Sequence, residues 1–165
     1  MIDRILVVSL LFLSGVSTAQ VRVKQIKLQV EDAGGRDENG HRNVSIRNAG
    51  KYEAQILYPV IVANNEEVSR KINSVLRDDA LSASDTSNTM DALYQSIRDN
   101  LYSMDYEVTL NTSGLLSLKI NMEGCGAYCT TTTLYYNFDL ASGERLTIND
   151  VEQHIYTRTV KVNKD

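Results

Sequence analysis

Alternation of apolar and polar positions recurs along the chain, and where it gives way to a helical period two helices are predicted. Val21–Val30 (VRVKQIKLQV) alternates, with Val21 and Val23 on one parity and Ile26, Leu28 and Val30 on the other. The slip of phase near Gln25 predicts a bulge or a strand that switches faces. Glu31–Gly50 is polar and rich in glycine, and reads as a long loop or wide hairpin. Lys51–Val62 predicts a strand with Tyr52, Ala54, Ile56 and Tyr58 on one face. Pro59 has no donor for a ladder, so it marks an edge or the strand's exit. Asn64 is placed as an N-cap, with Glu67 three residues on. Val68, Ile72, Val75 and Leu76 then form one apolar stripe, while Ser69, Arg70, Lys71, Asn73 and Arg77 take the wet side.

After the Ser/Asp-rich stretch Leu81–Asn88, the positions Met90, Leu93, Tyr94, Ile97 and Leu101 predict a second, shorter helix. Tyr102–Asn111 and Leu115–Met122 read as a hairpin around Thr112-Ser113-Gly114. Tyr106, Val108 and Leu110 share one face, matched by Leu116, Leu118, Ile120 and Met122 on the partner strand. Thr130–Leu140 is a strong strand with Leu134, Tyr136, Phe138 and Leu140 inward. Arg145–Ile148 is a short extended piece, and Asn149 or Asp150 caps a helix beginning at Val151. The order predicts an α+β domain, a mostly antiparallel sheet with two helices packed on one face.

The N-terminus changes the setting. Ile5–Val16 is an apolar run too short to span a bilayer, and Ser17-Thr18-Ala19 puts small residues at a signal-peptidase site. Residues 1–19 read as a secretory signal peptide in preference to an uncleaved anchor, and 20–165 as a single exported domain, periplasmic or secreted. No later run is long and apolar enough to span, so the mature chain is expected to be soluble.

Cys125 and Cys129 are the two cysteines of the chain. In an oxidising compartment they are expected to form a disulfide. A metal centre needs two more ligands, and His41 and His154 lie far off in sequence. The spacing also differs from Cys-x-x-Cys redox sites.

Composition narrows the function. The 165-residue chain has a formal charge of -4, which argues against nucleic-acid binding. No nucleophile elbow, phosphate loop or His-Glu-x-x-His motif is present. The acidic cluster Glu31, Asp32, Asp37 and Glu38 lacks the order of a calcium loop, and Asp78-Asp79 does not form a facing pair. His41 and His154 read as surface residues, and no catalytic residue, metal or cofactor is assigned. Aromatic usage is uneven, with Tyr 9, Phe 2 and Trp 0. Tyr128, inside the cysteine loop, and Tyr135, on the parity opposite Leu134 and Tyr136, are candidate contact residues, against a reading in which they simply pack on the sheet.

Two stretches carry a resemblance. Tyr58-Pro59-Val60-Ile61, followed by a capped helix with Lys71-Ile72-Asn73, resembles the first half of an extracytoplasmic tandem. Tyr136-Asn137-Phe138-Asp139-Leu140-Ala141-Ser142-Gly143-Glu144-Arg145-Leu146-Thr147-Ile148-Asn149-Asp150-Val151 resembles the signature of the domain that follows it. The tandem is similar to the exported region of RsiV-type anti-sigma factors and to the non-catalytic region of PdaC-type peptidoglycan deacetylases. It implies two family-like halves, 20–101 and an incomplete 102–165, and a sheet edge left open to another chain. The family's Gly-Ala-His-like segment is here Gly124-Cys125-Gly126-Ala127-Tyr128-Cys129, so no histidine carries over. By resemblance the chain is expected to be a binding module for an envelope component or secreted protein, with a lysozyme-like protein or peptidoglycan as ligand. The alternative is a small cell-wall hydrolase, which requires a pocket with convergent carboxylates or a perturbed histidine.

Overall fold

The structure is a computed structural model that describes residues 21–50, 52–83, 88–112 and 114–152. The signal-peptide reading over 1–19 and His154 lie outside the described residues. Strands β1 (Arg22–Arg36), β2 (Arg42–Asn48) and β3 (Ile56–Val62) lead into helices α1 (Glu66–Leu81) and α2 (Thr89–Asp99). Strands β4 (Leu101–Thr112), β5 (Leu115–Cys125) and β6 (Cys129–Asp139) follow. They form one six-stranded sheet in the order β2-β1-β3-β4-β5-β6. All neighbours are antiparallel except β3 and β4. That parallel step is the one bridged by α1 and α2, because two parallel strands need a crossover to return the chain to the same end of the sheet. The fold is α+β, as the hydrophobic pattern predicts.

The core joins one stripe of each helix to the sheet. Val68, Ile72, Leu76, Ala80 and Leu81 of α1 and Ala92, Leu93 and Ile97 of α2 are buried. They belong to one cluster with Met104, Leu116, Leu118, Ile120, Tyr136 and Phe138. The register places Leu116 opposite Phe138, Leu118 opposite Tyr136 and Ile120 opposite Leu134, so the inward parity read for β5 and β6 holds.

Several boundaries differ from the sequence reading. Of the two readings of the polar stretch after Val30, the wide hairpin holds and the loop does not: β1 runs on to Arg36 and pairs with β2. Its bulge lies between Asp32 and Arg36, where Gly34 and Gly35 both have φ of 78°. At Gln25 the pairing with β3 is unbroken, so Val21 and Val23 occupy the face opposite Ile26, Leu28 and Val30. Tyr52 precedes β3 and is exposed. The cap of α1 is Asn65, whose side chain accepts from the Glu67 N–H. Leu101 opens β4, because α2 ends at Asp99 and the Asn100 N–H closes on the Ser96 carbonyl. A bulge between Val108 and Leu110 sets Leu110 opposite Ser117, off the face of Leu118. The last described helical turn, 148–152, starts earlier than expected. Thr147 caps it: the Asp150 N–H donates to Thr147 Oγ1 and the Thr147 N–H to Asp150 Oδ2.

Asn73 leaves the wet face assigned to it. Its side-chain oxygen accepts from the Ile61 N–H and its amide donates to the Ile61 carbonyl, both at 2.8 Å. Strand β3 pairs with β4 at Ile56 and then parts from it, and Asn73 takes the place of the missing neighbour. Ile61 turns its backbone groups to that side, so by alternation Pro59 does too. The donor that Pro59 lacks therefore falls on the side that β4 has left.

Candidate contact site at the disulfide-closed sheet end

The β5–β6 hairpin ends in a disulfide between Cys125 and Cys129, with an S–S distance of 2.08 Å. The two residues face each other in the register, so the bridge closes the last rung of the ladder. The Gly126 N–H donates to the Tyr128 carbonyl across the loop. The Cys125 N–H donates to the Asn100 carbonyl at 3.0 Å, tying the loop to the end of α2. Closing so small a ring contributes about 2 kcal/mol through the unfolded state. A disulfide fits an oxidising, exported environment. Among the described residues no helix is long and apolar enough to cross a membrane.

Tyr128 and Tyr135 are both exposed, at 86% and 66%. They do not form one patch: along the straight β6 strand they stand about 20 Å apart, with Thr131 and Thr133 between them on the Tyr135 face. Tyr128 alone sits on the tethered loop.

Beside that loop is a cleft of about 370 Å³ lined by Leu81, Ser82, Ser96, Asp99, Met122 and Thr132, among others. Gly124 and Thr130, the pair next to the disulfide, also line it. Both helices end here: α1 at Leu81, with no basic residue in its last turn, and α2 at Asp99. Arg98, the cation in the last turn of α2, pairs with Asp37 at 3.2 Å. The α2 end is already capped by cations, with Arg36 donating to the Asp99 carbonyl and Arg42 to the Ile97 carbonyl. Asp99 Oδ1 accepts from Gln95 and lies 3.4 Å from His41. The C-terminus of α1, with no basic residue in its last turn, is the negative dipole end that the cleft offers to a cationic group. Sequence reading missed this site, because its lining comes from five separate elements and none of the residues belongs to a motif.

A second cleft, about 340 Å³, is lined by Asp32, Gly34, Gly35, Arg36, Arg42 and Tyr102. Both its arginines are already committed. Arg36 donates to the Gly40 and Asp99 carbonyls and to Asn100 Oδ1. Arg42 is buried, pairs with Asp32 at 2.8 Å, and donates to the Ile97 and Leu101 carbonyls. Its guanidinium lies 3.5 Å from the centre of the Tyr102 ring. The hydrogen bonds from Arg42, and then from the Gly34 N–H, hold the Asp32 carboxyl below its usual range.

The remaining polar candidates serve the fold. Of the acidic cluster, Glu31 pairs with Arg47, Asp32 with Arg42 and Asp37 with Arg98. His41 lies 3.4 Å from both Asp37 and Asp99, linking the β1–β2 turn to α2. Asp78 bonds to Arg77 and Ser74, whereas Asp79 pairs with Arg145. Glu123, Cys125 and Cys129 bring three potential metal-ligating atoms within 4.8 Å, but the two sulfurs are bonded to each other and offer no thiolate. Neither cleft brings two carboxylates together.

The chain matches no protein-family model and no curated protein. Solved structures similar to it include the following two. One is a DUF3298 family member from Bacteroides fragilis, 16% identical, with a TM-score of 0.54 over 81% of this chain and 61% of that one. The other is a DUF3298 family protein from Pseudomonas aeruginosa, 11% identical, with a TM-score of 0.47 over 79% of this chain and 56% of that one. The chain thus spans about three fifths of the length of the solved structures it matches. The likeness to the first supports a DUF3298-like fold, and at that identity it extends to the fold alone.

Proposed function

We propose that this chain is an exported, non-catalytic binding module, acting in the periplasm or outside the cell on a basic protein ligand. One observation carries the reading: the disulfide holds exposed Tyr128 beside a cleft where two helix C-termini and Asp99 converge. A pre-ordered aromatic loses little freedom on contact. The C-terminus of α1 in the cleft next to it favours a lysine or arginine of a partner. The resemblance to RsiV-type proteins, whose corresponding region receives lysozyme, points to a lysozyme-like protein; the resemblance to PdaC-type proteins points to peptidoglycan as the second ligand to try. The formal charge of -4 suits the first.

The test is binding of the mature chain to lysozyme and to cell-wall fragments, measured by calorimetry in low and physiological salt. Retention of lysozyme that weakens on Tyr128→Ala and on Asp99→Asn supports the reading. Binding to neither ligand, or binding indifferent to both substitutions, overturns it. Turnover of a cell-wall polymer by the purified chain would favour the hydrolase instead.

A further inference from the structure

The backbone of β6 points to a second function for this sheet. Strand β6 stands last in the sheet order, with β5 on one side. Its eleven residues pair with β5 without a break from Leu115–Asp139 to Cys125–Cys129, so no bulge twists the strand away. On the outer side, the Leu146 N–H donates to the Asn137 carbonyl and the Asp139 N–H to the Glu144 carbonyl. Odd-numbered residues of β6 therefore turn their backbone groups away from β5. By the two-residue period, Thr131, Thr133 and Tyr135 do the same.

The segment Glu144–Leu146 covers this edge at Asn137–Asp139, and the Arg145 side chain reaches the Tyr135 carbonyl at 3.4 Å. Beyond that point no described residue takes the outward backbone groups of Thr131 and Thr133. Natural edge strands are guarded by lysine, proline, a bulge or short length. The stretch Thr130–Phe138 (TTTTLYYNF) has no charge and no proline, and its threonines favour the extended state. The opposite edge differs: β2 is shorter and carries Arg42 and Arg47.

We infer that the free half of β6 is a self-association edge, joining a second copy of this chain in antiparallel register across a two-fold axis at Thr133. The choice of occupant follows from charge. An uncharged edge laid against itself brings no like charges opposite one another. Thr133 then pairs with Thr133, exchanging both backbone hydrogen bonds, and Thr131 faces Tyr135 of the other copy, whose carbonyl is shared with Arg145. The two sheets become one. This inference stands apart from the ligand reading, since it needs no ligand and uses the outer backbone groups of β6, not the side chains that line the cleft.

Sedimentation of the mature full chain, without ligand, tests it over a concentration series up to about 100 µM. A concentration-dependent dimer is expected. Thr133→Pro removes an N–H that the β5 ladder does not use, and should weaken the dimer about tenfold or more while leaving the far-ultraviolet dichroism intact. Thr133→Lys sets two like charges face to face and should do the same if the proline variant fails to fold. A monomer throughout the series overturns the inference, as happens if residues 153–165 of the same chain occupy the edge. A dimer indifferent to Thr133→Lys overturns it equally.

Discussion

Asn73 bonds to both backbone groups of Ile61, accepting from its N–H and donating to its carbonyl at 2.8 Å each. A helix side chain thereby completes a strand whose own neighbour has departed. Alanine at this position leaves two part-buried backbone groups without a protein partner. We expect Asn73→Ala to cost about 2–4 kcal/mol at roughly 1–2 per lost bond, read as the shift in a urea melt. Asn73→Asp keeps the acceptor and loses the donor, so it should recover part of the loss. No difference between the two variants would disprove the bidentate role.

The buried Arg42 ties the β1–β2 arm to the junction of α2 and β4, through the Ile97 and Leu101 carbonyls and the ring of Tyr102. Lysine cannot reproduce this fork. Arg42→Lys should destabilise the chain by about 1–3 kcal/mol, with faster amide exchange concentrated in β2. The Asp32 carboxyl is held below its usual range. A lowered folded value means that the pair's contribution is present above about pH 4 and fades as pH falls through the folded value. The acid melt of Arg42→Lys should accordingly show less pH dependence than that of the wild type.

Gly143 has φ of 76°, and a Cβ there would sit 3.1 Å from the Cα and carbonyl oxygen of Val68. Gly35 has a similar φ but open space around it. Gly143→Ala should therefore cost more than Gly35→Ala, which carries only the backbone penalty of about 1–2 kcal/mol. Paired thermal melts would settle the order, and equal losses would count against the close approach of α1.

Tyr58 and Tyr136 bury hydroxyls that have no hydrogen-bond partner among the described residues. Burial pushes Tyr136 up to about 12, with Asp79 adding to the shift and Arg145 opposing it. Tyr58 moves in the same direction, first by burial and then by the nearby Tyr136. A raised folded value means that the unfolded chain ionises first, so stability is whole below about pH 10 and falls as pH rises towards 12. Tyr136→Phe should be close to neutral at pH 7 and should flatten the alkaline loss. An alkaline melt unchanged by the substitution would refute the assignment.

Several of the residues that carry the resemblance act in folding. Asn73 replaces a strand partner, and Pro59 stands where β4 is absent. Asp139 accepts from the Ala141 N–H and the Ser142 hydroxyl, shaping the turn that brings Gly143 onto α1. Thr147 and Asp150 cap the helical turn that follows. These positions thus serve the fold of this chain, and they do not themselves form a ligand site.

The chain's own alternation and helical periods determined its elements, the inward parity of β5 and β6, and the closeness of Cys125 to Cys129, because each depends on residues near in sequence. Tertiary structure decided the rest. The outer part of the β1–β2 arm, from Glu31 to Asn43, is polar and has no apolar alternation, and it is tied down by Arg42 reaching residues more than fifty positions away. The cleft at Asp99 forms where two helix ends meet a sheet, and the place of β6 at the end of the described sheet is a matter of strand order. Neither leaves a local pattern, since what creates each is the position of distant backbone.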